Sequence, residues 1–383
     1  MLKNFLNQES KELTPPVQNR RKIFDNLFLL SGENAKLAKA EVLALVKCDR
    51  TQGFGGSGGT CFFSPHLVRG EKSTLEKGAK AEKINISNNE DRVLILKSKE
   101  NIKDLITRLA YTKRIFKLLF SCKKKELIKK FENYPWEKIY QKNFSIRIIN
   151  LTDGTTESEK FLAKFVWNSV DKPKVNLENP KTPITVILTK NYAHVCLFLQ
   201  ESKENFEKRR AHLRPGLLPI SMHPKLARAV VNLTGIRKGE ILYDTFCGTG
   251  GILIEAGLIG CKTIGYDIYD KALKCAKENL DYFKIKKYRL MKKNALKIKN
   301  KINYLATDLP YGKGAKAEKN LENFYLKFLK NLRKILRKKA VIIFPDNVNY
   351  KKLIKKAKLK IIGEFDYYIH KSMTKKIVVF GAT

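Results

Sequence analysis

Hydrophobic positions along this chain switch between helical and strand spacing, and the switches outline three units. FDNLFLL (24–30) is an apolar strand closed by a Ser-Gly turn. AKLAKAEVLALVK then carries Leu37, Ala40, Val42, Leu43 and Val46 at helical spacing. RVLILKS (92–98) and IFKLLFS (115–121) read as strands, with NIKDLITRLAYT (101–112) as a helix between them. That rhythm predicts a ferredoxin-like α+β domain over 24–122. Residues 51–74 interrupt it; their glycine run precludes regular structure and predicts a mobile loop. A second α+β unit spans 123–201. NFSIRIIN (143–150) is a strand, TTESEKFLAKFVWNSV a helix, and PITVILTKNYAHVCLFL (183–199) a hairpin turning at Lys190-Asn191. Residues 202–216 are basic and marked by proline, as a linker would be, and residues 1–23 read as an aperiodic tail.

From 217 to 383 strands and helices alternate strictly. EILYD (240–244), KTIGYD (262–267), KYRLMK (287–292), INYLATD (302–308) and KAVIIFPD (339–346) are strands, with helices near 251–259, 270–282 and 318–337. The expected architecture is α/β, a Rossmann-like doubly wound sheet. It ends in two strands joined by a short basic turn, an antiparallel hairpin added to a parallel sheet.

Composition narrows the partners. Lys and Arg number 77 against 37 Asp and Glu, a formal net charge of +40. A solvated lysine-rich surface is one reading; the sharper one is a polyanion partner, RNA or DNA. A membrane partner is disfavoured, because no apolar run of about 20 residues appears. Seven cysteines lie singly, without CxxC pairs or histidine clusters, so neither a metal site nor a disulfide framework is expected. The polar start MLKNFLNQES is no signal segment, and a reducing cytoplasm is the expected location.

DTFCGTGG (244–251) joins the first strand and helix of the alternating region. Gly248, Gly250 and Gly251 let a ligand approach the backbone, and the helix start offers free N–H groups. Asp267 ends the second strand, where a carboxylate can take both hydroxyls of an adenosine ribose. There is no G-x-G-x-x-G and no Walker lysine, so S-adenosylmethionine suits the loop better than a pyrophosphate cofactor. Asn294-Ala295, after the third strand, is a third candidate contact. Cys247 reads as a packing residue, His223 as a helix start, and Trp136 and Trp167 as core.

Asp308-Leu309-Pro310-Tyr311-Gly312 ends the fourth strand, on the same sheet edge as the cofactor loop. An ionised Asp308 and the Leu309 carbonyl can each accept one hydrogen of an exocyclic purine amine, turning the nitrogen lone pair toward a methyl donor. Pro310 stiffens the turn, and Tyr311 can stack on a base that has left its helix.

SMHPKLARAVVNL, DTFCGTGGILIEAGLIG, GYDI and TDLPYG resemble, in order, the methyltransferase domain of THUMP-containing RNA methyltransferases, above all the archaeal tRNA guanosine-10 N2-methyltransferases. SGENAKLAKAEVLAL and RLAYTKRIFKLL are similar to the family's N-terminal ferredoxin-like domain, and 171–199 to its THUMP module. The resemblance implies a tRNA substrate gripped by that module and S-adenosylmethionine as cofactor. Asp244, Phe246, Cys247, Gly248, Thr249, Gly250 and Gly251 would lie near its methionine end. Asp267 and Ile268 would lie at the ribose, and Asn294 and Ala295 at the adenine edge. Two departures stand out. Leu309 replaces the first proline of D-P-P-Y, and Thr245 stands where proline is common. Asp308, where the related guanosine-6 enzymes usually carry Asn, favours guanosine 10. Lys123, Lys124, Arg209, Arg210 and Arg214 are candidate RNA contacts, and no protein activator is expected. The rival class is a catalytically silent tRNA-binding protein.

Overall fold

The computed structural model describes residues 24–46, 92–98, 102–154, 156–218, 222–311, 315–370 and 373–382; the expected tail and the 51–74 loop lie outside the described residues. The first half comprises β1 (Phe24–Leu30), α1 (Ala35–Leu45), β2 (Val93–Ser98), β3 (Thr112–Lys123), α2 (Leu127–Glu132), β4 (Phe144–Asn150), α3 (Glu159–Ser169), β5 (Thr182–Leu188) and β6 (Tyr192–Glu201). Side-chain caps start the two longer helices. The Asn34 side chain accepts from the Leu37 N–H, and Ser158 Oγ from the Phe161 N–H.

The units expected at 24–122 and 123–201 share one six-stranded sheet, ordered β2-β1-β3-β6-β5-β4. The twelve-residue β3 joins them. Its first half pairs with β1 (Leu27 opposite Phe116), and it runs beside β6 from Arg114 to Lys123. A strand this long makes the two units one body.

Two expectations fail. The helix expected at 101–112 is only a 3₁₀ turn, Lys103–Thr107, and Thr112 already belongs to β3. Here the N–H groups of Ala110 and Tyr111 donate to the buried Glu41 carboxylate, at 2.7 and 2.9 Å, rather than to helix carbonyls. Trp167, expected in the core, is about half exposed (48%). The buried stripe of α3 is Leu162 and Val166, and the next residue points about 100° away from it. Trp136 is fully buried, its indole N–H donating to the Phe131 carbonyl.

The second half contains α4 (Pro224–Leu233), β7 (Ile241–Asp244), α5 (Gly251–Leu258), β8 (Lys262–Asp267), α6 (Asp270–Tyr282), β9 (Tyr288–Lys292), β10 (Ile302–Asp308), α7 (Ala315–Ile335), β11 (Leu336–Pro345), α8 (Tyr350–Ala357), β12 (Ile361–His370) and β13 (Met373–Gly381). Its sheet is ordered β12-β13-β11-β10-β7-β8-β9. Strands β11, β10, β7, β8 and β9 are parallel, whereas β13 is antiparallel to both β11 and β12. Strand order reverses between β7 and β10, which opens a crevice at their carboxyl ends. Because β13 runs the other way, its first residues reach that same edge, with Lys375 opposite Pro345. Among the described residues, no helix is long and apolar enough to cross a membrane.

The halves are packed together. Phe28, Leu37 and Tyr111 share a core with Leu226, Val230, Ile343 and Val379. Glu41 also accepts from Asn232 on α4, and Arg108 donates to the Asn232 side chain and the Ile236 carbonyl. Burial raises the Glu41 carboxyl above the usual carboxylate range, partly offset by the bonds from Ala110, Asn232 and Tyr111. Glu41→Ala would strand three buried donors. A loss of roughly 3–5 kcal/mol is expected, read as a lower denaturation midpoint, with Glu41→Gln less harmful.

Candidate active site

The glycine loop is built by backbone conformations that side chains resist. Gly248 and Gly250 have φ of +48° and +80°, and Gly250 caps α5. Cys247 is buried beneath the loop, its N–H donating to the Tyr266 carbonyl. Burial, then the charges of Asp244 and Asp267, push its thiol far up, away from a thiolate nucleophile and into a packing role. Phe246 packs edge-on against Phe324 and Phe328. Thr249 is buried, and its carbonyl accepts from Asn279.

Three strand ends bring carboxylates to the loop. Asp244, ending β7, is buried and accepts from the Thr307 hydroxyl at 2.7 Å and the Phe246 N–H at 3.2 Å. Burial pushes its carboxyl up to about 7, with smaller contributions from Asp267 and Asp308. Asp267, ending β8, accepts from the N–H groups of Gly248 (2.9 Å) and Tyr269 (3.0 Å), so it is tied to the loop. Ile268 is half exposed beside it, an apolar surface next to the carboxylate. Asn294 is exposed and caps the turn Ala295–Lys297 through the Leu296 N–H; Ala295 is buried.

Asp308, ending β10, is held on both sides. Its Oδ1 accepts from the Tyr311 hydroxyl at 2.7 Å and its Oδ2 from Lys375 Nζ at 2.5 Å. Lys375 is buried, 5.2 Å from the centre of the Tyr311 ring. Tyr311 is thus turned inward onto the carboxylate rather than offered outward as a stacking surface. Burial, then Asp308, raise its phenol well beyond the usual range. Leu309 is fully buried, and its N–H donates to the Ile343 carbonyl. The Pro310 carbonyl accepts from the Tyr325 hydroxyl, which secures the turn. Gly312 lies outside the described residues.

The expected linker is a docked strap. The Gly216 N–H donates to Asn279, and Asn279 donates to the carbonyls of Gly216 and Thr249, tying strap to cofactor loop. A Cβ on Gly216 would meet Cys275 backbone at 2.5 Å, so only glycine allows this approach. Arg209 donates to Glu255 and Glu204, both at 2.8 Å, and Arg214 is buried. Neither presents its charge to solvent as a phosphate contact would. Arg210, about half exposed, pairs with Glu207. His223 caps α4, its Nδ1 accepting from the Lys225 N–H, while burial holds the imidazole below its usual range. Lys123, Lys124, Lys125 and Lys190 line a groove of about 420 Å³ with Asn191 and the partly exposed Tyr192.

Sequence reasoning missed Lys375, Thr307, Asn279 and Glu255. Glu255 alone carried a signal: one carboxylate in the otherwise apolar helix GILIEAGL is buried and needs a cation. Nothing in HKSMTKK separates Lys375 from its neighbours.

The site fits an S-adenosyl cofactor. Asp267 stands where a ribose can be held, the glycines admit a ligand, and three carboxylates favour a cationic sulfur. Without that cation, Asp244 takes up a proton on folding below about 7, which an unfolded carboxyl near 3.8 does not. Ligand-free stability therefore falls as pH rises through that window. Melting at about pH 5 and about pH 7.5 should show the fall, and Asp244→Asn should remove it.

The UPF0020 family (RMKL-like, methyltransferase domain) matches residues 211–375. The tRNA (guanine(10)-N2)-dimethyltransferase of Methanothermobacter thermautotrophicus is 33% identical over 292 residues, 72% of this chain and 84% of that protein. The Pyrococcus abyssi protein of the same name is 30% identical over 301 residues, 76% of this chain and 90% of that one. The crystal structure of TrmN from Thermus thermophilus aligns at 16% identity with a TM-score of 0.45, covering 94% of this chain and 100% of that one. With relatives this similar over most of their length, the chain belongs to the tRNA (guanine(10)-N2)-dimethyltransferase family.

Proposed function

We propose that this protein is a cytoplasmic tRNA methyltransferase that transfers methyl groups from S-adenosylmethionine to the exocyclic amine of guanosine 10, twice in succession. Relatives named for that reaction support the reading. The observation that carries it is the pair at the end of β10: an acceptor, Asp308, beside a donor, Lys375, next to the glycine loop. Guanine presents N1–H and N2–H donors beside the O6 acceptor, which complements that pair; adenine carries a donor amine at position 6 instead.

S-adenosylmethionine, when bound, supplies a methyl group on cationic sulfur. The chain's own residues prepare the amine. Asp308 accepts one N–H and the Leu309 carbonyl the other, which frees the nitrogen lone pair for alignment. Lys375 holds Asp308 in place while the site is empty, and meets O6 when the base enters. The Tyr311 hydroxyl leaves Asp308 to make room, and its ring then flanks the base. After one transfer the amine retains one N–H, so Asp308 still holds it for the second. Asp308 also accepts the proton each transfer releases.

Residues 123–201 act as the THUMP-type RNA module, and the lysine-lined groove at Lys123–Lys125 and Lys190 takes backbone phosphates. Such contacts make affinity fall steeply with salt.

The test is methyl transfer from labelled S-adenosylmethionine to unmodified tRNA transcripts, with nucleoside mass spectrometry and site mapping. Dimethylguanosine at position 10 is expected, and label elsewhere overturns the assignment. Asp308→Ala should lower turnover about 10²–10³-fold with tRNA binding intact. Lys375→Met should lower transfer about 10- to 100-fold and narrow the preference for guanosine over adenosine at the target.

A further inference from the structure

Arg214 is a buried cation without an ion pair among the described residues. It is 5% exposed, and its Nε donates to the Arg209 carbonyl. Neither Nη1 nor Nη2, both shielded from solvent, has a hydrogen-bond partner. The neighbouring carboxylates are already engaged. Glu255 takes Arg209 and Arg228 at 2.8 Å each, and Glu204 takes Arg209. Three guanidiniums thus face two carboxylates, and the third is left over. A buried charge in that state is costly unless something arrives to pair it.

Its place shows what arrives. Arg214 Nη1 lies 3.3 Å from where a Cβ on Gly251 would sit, so the guanidinium rests close against the first turn of α5. The N–H groups of this first turn lack helical acceptors, and their dipole also favours an anion. Gly251 itself is partly exposed, which leaves the spot open to a ligand. Asn279 ties this strap to the cofactor loop, so Arg214 is a fixed part of that loop's surroundings. Asp267 marks the ribose end; Gly248, whose N–H it accepts, opens the turn that reaches Gly251 three residues further along.

We infer that Arg214, with the α5 N-terminus, seats the α-carboxylate of the cofactor's amino-acid end and so selects for cofactors that carry it. This rests on the S-adenosylmethionine reading above. It reassigns Arg214 from the phosphate contact expected from sequence to a cofactor-positioning role, and it gives the Arg209–Glu255–Arg228 cluster a purpose: it occupies the nearby carboxylates, so Arg214 keeps its charge for the ligand.

The experiment is calorimetric titration of the full chain with S-adenosylhomocysteine and with 5′-methylthioadenosine, which shares the nucleoside but lacks the amino-acid end. Wild type, Arg214→Met and Arg214→Lys are compared, with ligand-free melting alongside. Arg214→Met should bind S-adenosylhomocysteine roughly 10- to 100-fold more weakly and 5′-methylthioadenosine unchanged. Arg214→Lys should fall between. The ligand-free melting midpoint of Arg214→Met should not drop, since an unpaired buried charge has been removed; a merely structural arginine would lower it. Equal weakening of both ligands overturns the assignment, as does loss of tRNA affinity with S-adenosylhomocysteine binding intact. If wild type binds neither nucleoside, the cofactor reading itself fails, and this assignment with it.

Discussion

Three carboxylates gathered at one sheet edge, one of them buried, are the constraint that the surrounding structure answers. Asp267, Asp244 and Asp308 end the adjacent strands β8, β7 and β10, and Asp244 is the buried one. Each is relieved differently: Asp267 by two backbone N–H groups, Asp244 by Thr307 and a proton-favouring burial, Asp308 by Lys375 and Tyr311. The insertion of an antiparallel β13 is what delivers the lysine, because only a strand running against its neighbours starts where they end. Such an edge is poised for a cationic ligand beside an amine-bearing base, the combination that methyl transfer to guanine requires.

The N-terminal half gives this edge a fixed frame. One long strand merges its two units into a single sheet, and buried Glu41 and Arg108 bind that sheet to α4. The lysine-lined groove beside the β3 and β6 ends belongs to that same sheet.

Much of this was readable along the chain. KTIGYD, INYLATD and the helix at 270–282 run from end to end as their spacing indicates, because the apolar pattern and the terminal polar residues agree. DTFCGTGG and DLPYG were recognisable because their glycines, proline and carboxylates restrict backbone and chemistry locally. The helix expected at 101–112 was lost to Glu41, about seventy positions earlier, whose carboxylate outcompetes helical carbonyls for two N–H groups. Arg209 and Arg214 sit in a basic run that looks solvated, yet partners far along the chain bury them.

The sequence by itself determined the alternating architecture, the glycine loop, the carboxylate-ended strands and hence the class of chemistry. These follow from backbone preference and local spacing, which act over a few residues. Tertiary packing alone sets that Lys375 meets Asp308, that Asn279 ties the strap to the loop, and that the Arg214 Nη groups are left without a partner. Those outcomes depend on strand order and on which buried groups pair with one another, and neither is encoded in the neighbours of any single residue.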